Sequence, residues 1–71
     1  MIDKQGNVYV TDSANNQVKK YDNQGHLLAK WGGQGSADGL FSCPIGIVVD
    51  RQGNVYVVDS GNNRVQKFRQ R

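Results

Sequence analysis

The sequence predicts an all-β chain built from two copies of one antiparallel unit, and three observations lead there. The stretch Asp3–Tyr21 returns as Asp50–Phe68 at a constant offset of 47 residues, with 13 of 19 positions identical. Short runs rich in Val, Tyr and Ile alternate with Gly, Asn and Asp clusters, the pattern of strands and tight turns. No window carries the apolar period of a helix. A repeat this long is one supersecondary unit used more than once. In 71 residues there is room for one full period and the start of another, so the chain reads as a piece of a larger repeat array.

Asn7–Asp12 and Asn54–Asp59 read as strands. Each is approached through Gln-Gly-Asn, at Gln5–Asn7 and Gln52–Asn54, where glycine takes a positive φ at low cost. Each is followed by Asp-Ser-x-Asn-Asn, at Asp12–Asn16 and Asp59–Asn63, whose short polar side chains cap their own backbone. Gln17–Tyr21 and Arg64–Arg69 then return antiparallel as hairpins. His26–Trp31 reads as a further strand after the turn at Asn23-Gln24-Gly25, and Ile45–Asp50 as another, reached through Cys43-Pro44. Between them Gly32–Gly39 has no strand propensity and is a long loop.

Both alternating sets of Val55–Val58 and of Ile47–Val49 are apolar, so both faces of the sheet should be covered. A small antiparallel sheet packed on both faces by similar sheets is a propeller blade, and the repeat length suits a four-stranded one. Val8, Tyr9, Val10, Ile47, Val49, Val55, Tyr56 and Val57 are the residues expected to pack between blades. Charge concentrates on the outer strands, at Lys19-Lys20 and Gln66-Lys67.

The apolar share of 37% makes the core of so short a chain marginal without a staple or a partner. The lone Cys43 cannot form an intramolecular disulfide, and there is no cluster of Cys and His ligands for structural zinc. Association, with copies of itself or with another protein, is what remains. Met1–Gln5 contains no apolar run of a signal peptide, and no stretch approaches the length needed to span a bilayer. The chain as written is expected to be soluble and without a membrane partner.

Three submotifs occur in order: Pro44-Ile-Gly-Ile-Val-Val-Asp50, Gly53-Asn-Val-Tyr-Val-Val-Asp59 and Asn62-Asn-Arg-Val-Gln-Lys-Phe68. Together they resemble an NHL repeat, a likeness that covers nearly the whole chain. The resemblance implies that the Pro44 segment is an innermost strand, the Val55 segment a second and the Arg64 segment a third. It implies that Gly25–Gly32 is an outermost strand. Residues 1–31 then hold strands two to four of a first blade, 32–44 the inter-blade loop, and 45–71 strands one to three of a second. Known NHL domains are usually six-bladed wheels, so this chain is an incomplete propeller expected to be completed by oligomerisation. Gln17 stands where the second copy has Arg64.

Each Asp-Ser-x-Asn-Asn cluster offers one carboxylate, too few for a calcium loop, and turn capping by Asp12, Asn16, Asp59 and Asn63 is the better reading. Arg64 with Asp50 or Asp59 reads as a blade-stabilising ion pair rather than a catalytic one. His26 is the only imidazole and has no partner at a triad's spacing, so it reads as solvated on an outer strand. Cys43 reads as a small buried thiol. Gly32-Gly-Gln-Gly35 lacks the Lys-Ser/Thr and the helix of a phosphate loop. No cofactor, metal or catalytic residue is expected.

Three functional classes follow. The first is a non-enzymatic, self-associating building block or protein-interaction scaffold. The second is RNA binding, which the resemblance brings in through tripartite-motif proteins and which the formal charge of +3 favours. Its cations are spread over rim strands and turns without interleaved aromatics, and it ranks below the first. The third, a metal-dependent lyase like the peptidyl-amidating propellers, needs several histidines where this chain has one. A charge placed at Val57 is expected to abolish assembly.

Overall fold

The computed structural model describes residues 1–70; Arg71, the last of the basic residues, lies outside them. Two three-stranded antiparallel sheets stand face to face. The first contains β1 (Val8–Asp12), β2 (Gln17–Tyr21) and β3 (Leu27–Gly32), in that order. The second contains β4 (Pro44–Val49), β5 (Val55–Asp59) and β6 (Arg64–Phe68). A single 3-10 turn, Ser60–Asn62, interrupts the otherwise all-β order among the described residues. No helix among them is long and apolar enough to cross a membrane.

The two hairpins share one register at the repeat offset. β1 and β2 pair from Val8 with Tyr21 to Asp12 with Gln17, and β5 and β6 pair from Val55 with Phe68 to Asp59 with Arg64. The turns beyond β1 and β5 close through Asn16 and Asn63, both left-handed at φ 55° and 53°. Asparagine tolerates that conformation better than most side chains because it bonds locally.

Outside the hairpins the two units differ. The second has β4 on the inner side of β5, paired from Pro44 with Asp59 to Val49 with Val55. The first has only a trace of that strand: Ile2 bridges Val8, and the Tyr9 amide donates to the Met1 carbonyl at 2.7 Å. The first unit carries β3 on the outer side of β2, from Gln17 with Gly32 to Tyr21 with Leu27. Beyond β6 no strand follows among the described residues.

The core lies between the sheets. Tyr9 and Val18 come from the first, Val55 and Val57 from the second, and Phe41 from the connection; all are buried. Trp31, Ile47, Val49 and Phe68 pack around them, with Phe68 edge-on to both Trp31 and Phe41 at 5.7 and 5.8 Å. β1 packs on β4 across the layer.

Several details depart from the sequence reading. The connection is not a plain loop: Gln34 bridges Phe41, and the Gly35 and Phe41 amides donate to Phe41 and Gly33 carbonyls at 3.0 and 2.8 Å. Its Phe41 is fully buried. Gly32 ends β3 at φ +110°, and a Cβ there would meet the Phe41 ring at 2.7 Å and the Asn16 carbonyl at 2.8 Å. Cys43 is exposed rather than a buried thiol, held at φ 53° by its amide on Asn16 Oδ1 at 2.8 Å. Chain direction turns there, which leaves the thiol outside. His26 precedes β3 rather than lying in it.

Within the chain each sheet has one covered face and one bare one, because two sheets make a single interface.

Candidate interaction surfaces

Along a strand, side chains alternate between faces, and the burial of repeat-equivalent residues sorts the two faces. Tyr9 and Val18 of the first sheet point inward, while their equivalents Tyr56 and Val65 point outward. Val18 is 0% exposed and Val65 60%. Val55 and Val57 of the second sheet point inward and are buried, while their equivalents Val8 and Val10 lie outward. Val10 is 42% exposed.

The expected blade-packing set therefore divides. Tyr9, Val55 and Val57 form the packed layer, with Ile47 and Val49 against it. Val8 is half-buried and Val10 exposed on one outward face, and Tyr56 is half-buried on the other. Around Tyr56 lie Val48, Val58 and Val65, all exposed. Val57 sits inside the chain's own core, so a charge there bears on the folding of the unit before it bears on any assembly.

The expected ion-pair residues fall into two constructions. In the first, Asp59 is fully buried. Its oxygens accept from the Ser42 amide at 2.7 Å, Asn62 Nδ2 at 2.9 Å, Arg64 Nε at 3.0 Å and Gln66 Nε2 at 3.3 Å. Burial pushes the Asp59 carboxyl up, but the donors from Asn62, Ser42, Arg64 and Gln66 together outweigh it and hold the group below its ordinary value. Arg64 then donates to the Ser36, Ala37 and Leu40 carbonyls at 2.8, 3.0 and 2.9 Å. A guanidinium fits this use because its fork of donors is rigid and planar.

The equivalent position in the first sheet is built differently. Asp12 pairs with Lys19 at 3.1 Å and accepts from Asn15 Nδ2 at 2.9 Å. Among the described residues Gln17 makes no comparable clasp.

In the second construction Asp50 does not meet Arg64. Its Oδ1 accepts the Gln52 and Asn54 amides, both at 2.9 Å, and its Oδ2 accepts Asn54 Nδ2 at 3.0 Å and the Tyr56 hydroxyl at 3.2 Å. Asp3 does the same with Gln5, Asn7 and Tyr9, and Asp22 with Gln24 and His26. The sequence reading passed over Asp3 and Asp22. The signal was there: Asp-x-Gln-Gly opens all three turns, at Asp3, Asp22 and Asp50.

Two concavities remain. A polar one of about 370 Å³ lies between the Asp3 and Asp50 turns. Gln70 crosses it, accepting from Lys20 and donating to the Tyr9 hydroxyl and the Gly53 carbonyl. The carboxylates on its wall are already occupied by their turns. An open, mainly apolar cleft of about 520 Å³ lies beside β6, lined by Ala29, Trp31, Gly39, Phe68, Arg69 and Gln70.

Lys19 and Arg64 are paired with aspartates, and Lys20 and Lys67 lie over the Tyr9 and Tyr56 rings at 5.5 and 5.7 Å. No group of three or more His, Cys, Asp or Glu with the geometry of a metal site occurs among the described residues.

Comparison with the curated proteins finds no match for the chain. The family model of the NHL repeat matches residues 2–21 and 41–68, which takes in both hairpins and the inner strand β4. NHL repeats are blades of β-propellers and generally serve protein–protein interaction rather than catalysis. With the same hairpin built twice at one register and both copies matched, this chain belongs to the NHL-repeat family.

Proposed function

We propose that this chain is a non-enzymatic β-propeller building block whose two bare sheet faces self-associate, copy upon copy, into a larger propeller-like assembly. The observation that carries the reading is the opposite burial of Val18 and Val65, 0% and 60% exposed at one repeat position. The outward face of the second sheet is the same face that the first sheet already uses inside the chain. The outward face around Val8 and Val10 is likewise the counterpart of the inward face around Val55 and Val57. Each chain thus presents both halves of an interface that it has already formed once.

Contact of this kind is head-to-tail, so it closes into a ring where the rotation allows and otherwise runs on as a filament. Three two-blade chains would make a six-bladed wheel. Burial of apolar area at about 25 cal/mol per Å² is the driving term. The same bare faces would serve as a scaffold for another protein carrying blades of this type.

Light scattering after size-exclusion chromatography, over a concentration series, tests the reading. A discrete multiple of 7.9 kDa supports it. A monomer at every concentration, with a folded spectrum, overturns it.

A further inference from the structure

We infer that Asp38–Gly39 is a modification site, where the chain isomerises spontaneously to isoaspartate at a rate set by the hold of Gln66 on the Gly39 amide. The inference is independent of self-association, because every group in it belongs to one chain.

Among the acidic residues only Asp38 is followed by glycine, and no asparagine is. Glycine matters because its amide nitrogen has no side chain to shield it from the preceding carboxyl. The other five aspartates, Asp3, Asp12, Asp22, Asp50 and Asp59, accept hydrogen bonds that fix their side chains. Their carboxyls are also held below the ordinary value. Ring closure needs a carboxyl that can rotate and take up a proton, so these five are poorly placed for it. Asp38 is exposed, and a Cβ position on Gly39 has nothing within 4 Å.

The Gly39 nitrogen attacks Cγ of the protonated Asp38 carboxyl. An N–Cγ bond forms, the Cγ–OH bond breaks, and the hydroxyl leaves as water with the amide proton. Water then opens the cyclic imide. Attack at Cγ restores aspartate, whereas attack at the main-chain carbonyl leaves Gly39 joined through Cγ as an isoaspartyl linkage of the original mass.

The fold restrains the first step. Asp38 and Gly39 are the central residues of a turn closed by the Leu40 amide on the Ala37 carbonyl at 3.0 Å, and Gly39 takes φ 83°. Gln66, on β6, spans this turn with both ends of its side-chain amide. Its Oε1 accepts the Gly39 amide at 3.0 Å, and its Nε2 donates to the Leu40 carbonyl at 2.8 Å. The first bond engages the attacking nitrogen's own hydrogen and fixes the peptide plane, so attack waits for Gln66 to let go. Arg64 grips the same turn at the Ala37 and Leu40 carbonyls. An isoaspartyl residue runs the main chain through Cβ and Cγ, which adds a backbone atom between those two carbonyls. Isomerisation thus displaces the acceptors of Arg64 and loosens the connection between the blades.

The test ages the whole chain at neutral pH in water enriched in heavy oxygen, folded and in urea. Tryptic mapping reads the heavy oxygen gained at each aspartate, and an isoaspartate-specific methyltransferase reads the isomer. Asp38 is expected to react first in both states, about tenfold more slowly in the folded chain. Gln66→Ala is expected to raise the folded rate about three- to tenfold, the worth of one hydrogen bond. Because Gln66 also serves Asp59, hydrogen exchange of the Gly39 amide in the unsubstituted chain gives a second reading, expected to be slowed relative to the unfolded chain. Purified isoaspartyl chain is expected to unfold at lower urea. First reaction at another aspartate, equal rates folded and unfolded, a Gln66→Ala rate equal to the parent's, or an unprotected Gly39 amide overturns the proposal. An unchanged urea midpoint for the isoaspartyl chain overturns its link to the Arg64 clasp.

Discussion

Arg64 closes on Asp59 through a single 3.0 Å bond from its Nε, and this leaves both terminal nitrogens free to pin the inter-blade segment at Ser36, Ala37 and Leu40. One guanidinium thus ties a buried carboxylate in the second blade to the connection from the first. Arg64→Gln, which makes the second blade resemble the first at Gln17, is expected to destabilise the chain by about 3 kcal/mol, because Asp59 stays buried with its charge partner gone. Gln17→Arg is expected to change stability by no more than about 0.5 kcal/mol, since Asp12 is already held by Lys19. Urea denaturation of both variants checks this; equal effects at the two positions would refute the clasp.

Acid should unfold the protein through its turns. Asp3, Asp12, Asp22, Asp50 and Asp59 all have carboxyls held below their ordinary value. At Asp3, Asp50 and Asp59 burial opposes the shift and is outweighed by amide, hydroxyl and side-chain donors. Groups with a depressed folded pKa contribute stability that is complete above the unfolded value, near pH 4, and lost as pH falls through the folded one. The thermal midpoint is therefore expected to be flat with respect to these carboxylates from roughly pH 5 to 8 and to drop below about pH 4. Asp59→Asn should flatten the acid limb; an unchanged limb would mean that Asp59 is not among the groups responsible.

Gly32→Ala is expected to be strongly destabilising, by several times the ~1 kcal/mol typical of a point substitution. Two penalties coincide: a φ of +110° that a Cβ disfavours, and contacts at 2.7–2.8 Å with the Phe41 ring and the Asn16 carbonyl. Gly25→Ala is the control, since nothing lies within 4 Å of its Cβ position although its φ is also positive. Calorimetric midpoints that fall equally for both would assign the whole effect to backbone strain and none to Phe41.

A lysine at each of two equivalent valines separates folding from assembly. Val18→Lys buries a charge between the sheets and is expected to abolish the near-ultraviolet circular dichroism of the packed aromatics. Val65→Lys, on the outward face, is expected to leave that signal intact while reducing the scattering mass to one chain. An unchanged mass for Val65→Lys would remove this face from the assembly.

Much of the fold was legible because its signals are local. The Val-Tyr-Val runs, the Gln-Gly-Asn turns and the Asp-Ser-x-Asn-Asn clusters each act within a few residues, and their return at one offset exposed the repeat before any contact was known. Phe41 was not legible: it stands alone in a glycine-rich stretch, and its burial depends on how that stretch folds over both sheets. Arg64 was legible as an ion-pair former, but its choice of Asp59 over Asp50 was not, since a separation along the chain does not say which carboxylate the strand register brings alongside.

The division is sharpest at Val18 and Val65. By itself the sequence determined that both are strand valines at one position of one repeated unit, because strand propensity and turn chemistry are properties of neighbouring residues. Only the tertiary structure decided that one is sealed and the other open. Burial belongs to the pair of sheets that meet, and two sheets can cover only one face of each.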